Sequence, residues 1–394
     1  MALPLKYNYR NVLIRWRTTL FTVAGVAAVV SVVILLKALA KGIESSSART
    51  GEPGNLLVVR KGSQAESGSL VTRDQFRTLQ FFEEIDRNAA GQPVVSAELV
   101  MIINAPRRGE AGSANTLIRG VTPRGLELRP KVRLVEGRWF NPGQREVTVS
   151  RKLAGRFEGF EVGGVLKAGP DRLKVVGLFE AGGSAFDSEA WMDADEARAI
   201  FDRSEMYSSI LLRPRDEAAM RSLTNRIAQD KRLGLRVEPE TDYYAQQTAT
   251  AVPFNILAGL LGTAMSVGAV FAAMNTMYAN VASRTREIGT LRVLGYSRGA
   301  VVVCFLIEGV ILSGLGGLVG CGLSLGVYTY VVARGVTFGT MDFQSFAETV
   351  YQFRVTPDLM LLGLGFSMAI GLVGSLLPAL RASRLPVISA LKSL

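Results

Sequence analysis

The 394-residue chain has no histidine and only two cysteines, Cys304 and Cys321. Without histidine there is no zinc site with imidazole ligands and no Ser-His or Cys-His nucleophile pair. The two cysteines stand seventeen positions apart. On one helix that is ~25 Å, too far for an intrachain disulfide. No Gly-Lys dipeptide occurs, so a Walker A phosphate loop is absent. The acidic cluster Asp193, Asp195 and Glu196 reads as charge at a helix start rather than as a metal site. Catalytic, cofactor-binding and metal-ligating residues are therefore expected to number none.

Four long apolar runs are present, at uneven spacing. Residues 18–36, 243–283 and 359–380 carry no charge, and 299–333 carries only Glu308. A helix rises ~1.5 Å per residue and must cross ~30 Å of hydrocarbon, so each run is a membrane-helix candidate. The first two are separated by about two hundred residues of ordinary soluble composition. The fold class expected is a membrane α-helical chain of four transmembrane helices, with a large α/β extracytoplasmic domain inserted between helices 1 and 2.

The net charge of +11 supports this division. Residues 41–242 hold 31 basic and 29 acidic side chains, so the excess lies in the flanks of the apolar runs. Lys6, Arg10, Arg15 and Arg17 precede the first run. Arg284, Arg286, Arg292 and Arg298 lie between the second and third, and Arg381, Arg384 and Lys392 follow the fourth. By the positive-inside rule these three flanks share the cytoplasmic side, which an even number of spans allows. A pI near 9.8 is then topology charge, and no nucleic-acid partner is expected. The N-terminal run, followed by Ala38-Leu39-Ala40, has two readings: a cleaved signal peptide or an uncleaved anchor. Its 19-residue core exceeds the usual h-region and favours the anchor. Residues 1–17 carry Leu5, Tyr9, Val12, Leu13 and Trp16 at helical spacing and read as an amphipathic helix among the lipid headgroups.

Within the insertion, strands are expected at 56–59, 94–103, 116–121, 146–149, 173–179, 209–212 and 235–238, and helices at about 73–88, 151–158, 194–203 and 216–232. Thr72 with Gln75 forms a capping-box pattern, and Ser150 is a second cap. The polar segments 37–50 and 243–250 read as a two-helix stalk, or alternatively as flexible linkers. The spans carry small residues four apart: Gly309/Ser313, Ser313/Gly317, Gly316/Gly320 and Gly322/Gly326 in the third, and Gly363/Ser367, Gly365/Ala369 and Gly371/Ser375 in the fourth. Such faces let helix backbones approach closely. Leu312-Ser313-Gly314 belongs to that packing pattern. Glu308 admits two readings, an anchor for donors from the neighbouring loop or a proton-handling group.

The loop 282–298 has the sharpest pattern. Ile288, Leu291 and Leu294 fall on one side of a short helix among basic residues, a form suited to docking on a soluble partner. The run Arg284-Thr285-Arg286-Glu287-Ile288-Gly289…Leu291-Arg292-Val293-Leu294-Gly295 resembles the cytoplasmic signature of MacB/FtsX-type ABC transporter permeases. Tyr9-Arg10-Asn11-Val12-Leu13, Gly137-Arg138-Trp139-Phe140, Glu308 with Gly316, Gly317 and Gly320, and Pro378-Ala379…Arg381-Ala382-Ser383 resemble other parts of that family.

The resemblance implies a type VII permease, related to macrolide exporters and lipoprotein-release systems; macrolide-exporter chains of that family carry an ATPase domain before span one, and this sequence is expected to depart from them in having none. It implies ATPase-coupling residues Arg284, Arg286, Glu287, Ile288, Gly289, Leu291, Arg292, Leu294 and Gly295, a loop anchor at Glu308, and packing at Gly309, Ser313, Gly316, Gly317 and Gly320. The expected parts are an N-terminal helix 1–17, span one with stalk 18–50, a periplasmic domain 51–242, stalk and span two 243–281, a coupling helix 282–298, span three 299–334, a periplasmic loop 335–357, span four 358–380 and a cytoplasmic tail 381–394. Within the domain, 51–105 and 206–242 are porter-like and 106–205 is sabre-like. The chain binds no cofactor itself; ATP and Mg sit on a separate ABC ATPase subunit. Other implied partners are a second permease copy or paralogue, a periplasmic adaptor with an outer-membrane channel, and membrane lipids. The location implied is the cell inner membrane, with both termini cytoplasmic. The role implied is non-catalytic: to pass ATPase-driven change across the membrane for export from the periplasm. Lipoprotein extraction and regulation of a cell-wall hydrolase are the alternatives.

Overall fold

The computed structural model describes residues 16–109, 111–247, 251–334, 336, 338–341 and 347–386. The amphipathic segment expected at 1–17, apart from the backbone of its last two residues, and the tail beyond Pro386 lie outside the described residues. The chain divides into two compact units, one of residues 1–41, 252–335 and 353–394, the other of residues 42–251 and 336–352.

The first unit is helical. Four helices are long and apolar enough to cross a membrane: α1 (Trp16–Ala48), α8 (Val252–Ser283), α10 (Arg298–Ala333) and α11 (Pro357–Ser383). A short helix, α9 (Thr285–Val293), joins α8 to α10. As expected, α1 continues beyond its apolar run, to Ala48.

The second unit holds α2 (Arg73–Leu79), α3 (Pro123–Glu127), α4 (Arg151–Ala154), α5 (Ala194–Ile200), α6 (Glu217–Gln229) and α7 (Glu240–Gln246). Its strands are β1 (Leu56–Arg60), β2 (Val71–Thr72), β3 (Val95–Pro106), β4 (Ser113–Val121), β5 (Arg133–Gly137), β6 (Glu146–Ser150), β7 (Val165–Ala168), β8 (Asp171–Glu180), β9 (Glu189–Asp193), β10 (Met206–Tyr207), β11 (Ser209–Leu212), β12 (Leu235–Pro239), β13 (Phe338–Met341) and β14 (Glu348–Tyr351). One sheet runs β12-β1-β11-β3-β4-β9-β6-β8-β5, with β7 on β8. Its pairs are antiparallel except β4 with β9 and β6 with β8. Strand alternation splits the apolar residues between cores. In β1, Leu56 and Val58 enter a core with Leu223 and Ile227 of α6. Leu57 and Val59 enter another with Phe179, Phe186 and Trp191.

All seven expected strands form. The capping box at Thr72 is present, with Gln75 N donating to Thr72 Oγ1 and Thr72 N to Gln75 Oε1, and Ser150 caps α4. Some boundaries differ. The helix expected over 73–88 stops at Leu79, because Ile85 and Arg87 bridge to Pro214 and Pro93. The break expected at 105–106 falls at the end of β3. The cores instead divide inside that strand, with Val95 and Ala97 in one and Leu99 and Ile103 in another. Of the polar run 243–250, expected as stalk, residues 243–246 close α7, and 248–250 lie outside the described residues. The two tyrosines of α7 are buried in the core that holds Trp191, because their rings are large and apolar. The segment 335–357, expected as a loop, carries the hairpin β13–β14. Val350 is fully buried in the core with Leu153 and Phe157, its N–H donating to Ser188 Oγ at 2.7 Å.

Candidate coupling site

The loop between α8 and α10 is held by backbone geometry at one end and by buried charge at the other. The C-terminus of α9 is closed by a Schellman motif. Tyr296 N donates to Leu291 O at 3.2 Å and Gly295 N to Arg292 O at 3.2 Å. Gly295 takes φ +91°, a left-handed conformation that glycine adopts without strain. Ser297 then caps α10 by accepting from Ala300 N at 3.2 Å. The Leu-Gly-Tyr-Ser run is thus a turn specification.

At the other end, Arg284 closes the gap between α8 and α9. Its Nη1 donates to Glu308 Oε2 at 2.9 Å, its Nε to Glu287 Oε2 at 3.3 Å, and its guanidinium lies over the Phe305 ring at 5.4 Å. Asn280 Nδ2 donates to Glu308 Oε1 at 3.5 Å. Arg284 and Glu308 are both buried, so the ion pair is shielded from water. The structure therefore brings Glu308 to the loop, along with Asn280, which sequence reasoning passed over. The signal for Asn280 was an amide near the end of an apolar run, a signal that Asn255 and Asn275 share.

The apolar positions of α9 differ in exposure. Ile288 and Gly289 are buried, and Ile288 packs with Met277, Val301, Phe305 and Ala379 of the same unit. Leu291 is half-buried beside Val301, Cys304 and Phe305. Ile288 thus holds α9 to its own helices, while Leu291 stays partly accessible. The exposed residues are Arg286, Glu287, Thr290, Val293 and Leu294, with Val293 62 % and Leu294 68 % accessible. Arg292 is half-buried and its Nη1 donates to Tyr296 O at 3.4 Å.

The small residues of α10 fall into two sets. A Cβ on Gly309 would stand 2.6 Å from Ser375, one on Gly317 2.2 Å from Ser367 Oγ, one on Gly316 2.8 Å from Val26 and one on Gly320 2.8 Å from Ala27 O. Gly309 and Gly317 thus face α11, and Gly316 and Gly320 face α1. Ser313 is buried between α10 and α11, within 1.9 Å of where a Gly371 Cβ would be. Gly322, Gly326 and Gly365, read from the sequence as packing positions, have nothing within 4 Å of a Cβ. The same spacing occurs on a packed and on an open face of the helix.

Comparison with known proteins adds to this geometry. The family of MacB-like periplasmic core domains matches residues 18–230, and the FtsX-like permease C-terminal family matches residues 259–387. The macrolide export ATP-binding/permease protein MacB of Bdellovibrio bacteriovorus is 25 % identical over 93 % of the chain and 57 % of that protein. The uncharacterized ABC transporter permease YvrN of Bacillus subtilis is 24 % identical over 95 % of the chain and 94 % of that protein. The chain spans 57 % and 61 % of the lengths of two MacB proteins it matches. The crystal structure of the periplasmic region of MacB from Actinobacillus actinomycetemcomitans aligns with a TM-score of 0.37 at 13 % identity, over 50 % of the chain and 93 % of that one.

Proposed function

Since the chain belongs to the MacB-like, FtsX-like family of ABC transporter permeases, we propose that it passes work from an ATPase, through the membrane helices, to the inserted domain. A separate ABC ATPase carrying ATP and Mg docks on α9, and two permease copies or paralogues form the working dimer. The flanks rich in arginine and lysine lie on the cytoplasmic side of the inner membrane and the inserted domain in the periplasm. There the strands β1, β11 and β12 supply the porter-like part and β4 to β9 the sabre-like part. The transport step is export from the periplasm through an adaptor and outer-membrane channel.

One observation carries this reading. The α9 helix is fixed to its own unit by Ile288 and by the buried Arg284–Glu308 pair, and still presents Val293 and Leu294 to solvent beside Arg286 and Glu287. A rigid helix with an exposed apolar tip and mixed charge suits force transfer to a grooved partner. Purification of the tagged chain in mild detergent, with identification of the proteins that come with it, tests the proposal. An ABC ATPase together with an adaptor is expected. An ATPase with a lipoprotein carrier or a cell-wall hydrolase would replace the export step, and the reproducible absence of any ATPase would overturn the proposal.

A further inference from the structure

The inserted domain seals a set of arginine and glutamate side chains in its interior. Arg119 on β4 and Arg129 after α3 are each about 1 % accessible. Arg119 uses every N–H it has. Its Nε donates to Glu189 Oε2 at 2.7 Å, its Nη1 to Glu66 and Glu98 at 2.9 and 2.8 Å, and its Nη2 to Glu189 Oε1 and Glu66 Oε2 at 2.8 and 3.0 Å. Arg129 forks onto Glu98 and donates Nε to Glu240 Oε1 at 3.1 Å.

Glu240 connects this cluster to both ends of the insertion. It is fully buried and opens α7, the last described element before α8. Its Oε2 accepts from Asn55 Nδ2 at 2.8 Å and from Glu52 N at 3.0 Å, and its own N–H donates to Asn55 O at 3.0 Å. Glu52 and Asn55 follow the end of α1 by a few residues. Between them and α1, Gly51 sits at φ +85°, where a Cβ would press within 2.8 Å of Glu240 Cγ. One turn along α7, Tyr244 OH donates to Glu66 Oε2 at 2.8 Å. On the side of α1 the cluster faces a cavity of about 60 Å³ lined by Ile43, Ser47, Tyr244 and Thr340.

Apolar side chains of equal volume often stabilise as well as a buried ion network does, or better. What ions add is a fixed mutual position, because each N–H must meet its oxygen. We propose that the cluster is a clasp: through Glu240 it joins the chain leaving α1 to the chain leading into α8. A displacement of either helix then moves the inserted domain as a body instead of fraying its two connections. Glu240, Arg129 and Asn55 are positioning residues in this scheme, which rests on the force-passing role proposed above.

A covalent replacement tests the clasp. Asn55 and Glu240 continue the antiparallel ladder one step beyond the Leu56–Pro239 pair. Opposed Cα atoms there lie ~4.5–5.5 Å apart, within the range a disulfide spans. The full chain with Asn55→Cys and Glu240→Cys, in a Cys304→Ala, Cys321→Ala background, is followed by amide hydrogen exchange. In the reduced form residues 240–246 are expected to exchange at least tenfold faster than in the background chain, with β6, β8 and β9 unchanged. Oxidation is expected to restore protection. Unchanged exchange at 240–246 in the reduced form would overturn the clasp. So would loss of protection throughout the sheet, which would make the cluster an ordinary stabiliser of the domain. In the complex with its ATPase, nucleotide-dependent changes at 293–294 should survive reduction. Those in the inserted domain should vanish on reduction and return on oxidation, and their survival in the reduced form would refute the transmission role. If no ATPase is found, the preceding proposal fails, and the exchange of the chain alone still decides whether the clasp exists.

Discussion

Removing the Glu308 carboxylate is the most direct probe of the coupling loop. Glu308 and Arg284 have side chains 3 % and 9 % accessible and are joined at 2.9 Å. Glu308→Leu leaves a buried guanidinium without its main acceptor, and breaking one side of a buried pair costs about 3–5 kcal/mol. Glu308→Gln keeps an oxygen acceptor and loses the charge, so the smaller penalty of about 1–3 kcal/mol for a poorly satisfied buried group applies. Adding Arg284→Met to Glu308→Leu removes both ions, and such double replacements are often close to neutral. The expected order of thermal stability in detergent is wild type, then the double variant, then Gln, then Leu. The coupling energy between positions 284 and 308 should exceed ~2 kcal/mol, well above the ~0.5 kcal/mol scatter of independent sites. Stimulated ATPase activity should follow the same order. Additive losses in the double variant would refute the anchor. Equal and complete loss in Gln and Leu, with wild-type activity sensitive to an uncoupler at saturating ATP, would replace the anchor by proton coupling.

Three further outcomes are expected. Val293→Asp with Leu294→Asp should abolish ATPase co-purification while leaving the melting temperature unchanged. Two exposed side chains buried on docking contribute about 3–6 kcal/mol, two to four decades in affinity, and Ile288→Asp should instead unfold the loop. Gly317→Ala should destabilise the helical unit by about 1–3 kcal/mol through overpacking, since its Cβ would stand 2.2 Å from Ser367 Oγ; Gly322→Ala should be neutral in the same melt. The third concerns acid. Burial alone would raise the Glu66 pKa, but Arg119, Ser209 and Tyr244 more than offset it and bring it to about 2. A depressed carboxylate stabilises the folded domain above its unfolded pKa near 4.5. That stability is lost as pH falls toward 2, by about 3 kcal/mol in total. Urea unfolding between pH 5 and 2 should show this slope in wild type and a reduced one in Glu66→Gln; equal slopes would remove Glu66 as its source.

Several elements were hidden from sequence reading by their own charge. β9, Glu-Ala-Trp-Met-Asp, carries an acid at each end and yet all five residues are buried. Glu189 is satisfied by Arg119 and by Trp191 Nε1, while Asp193 caps α5. Glu98 and Arg119 interrupt apolar strands for the same reason, and that interruption was the available signal. The hairpin β13–β14 was missed because Glu348 is buried between Arg107 and Arg156, 241 and 192 residues away in the chain.

Length and hydropathy determined the four spans, because hydrocarbon thickness sets a minimum helix length whatever the neighbours are. Period-two alternation determined the main strands, and local turn chemistry the caps at Thr72 and Ser150, because these depend on residues a few positions apart. The tertiary structure alone decided which face of α9 is spent on its own core and which is left exposed. It also separated the glycines of α10 that meet another helix from those that meet none, and gave the buried arginines their partners. Each of these depends on atoms far apart in the chain, and a spacing of four residues or a lone charge in a strand reads the same whether a neighbour is present or absent.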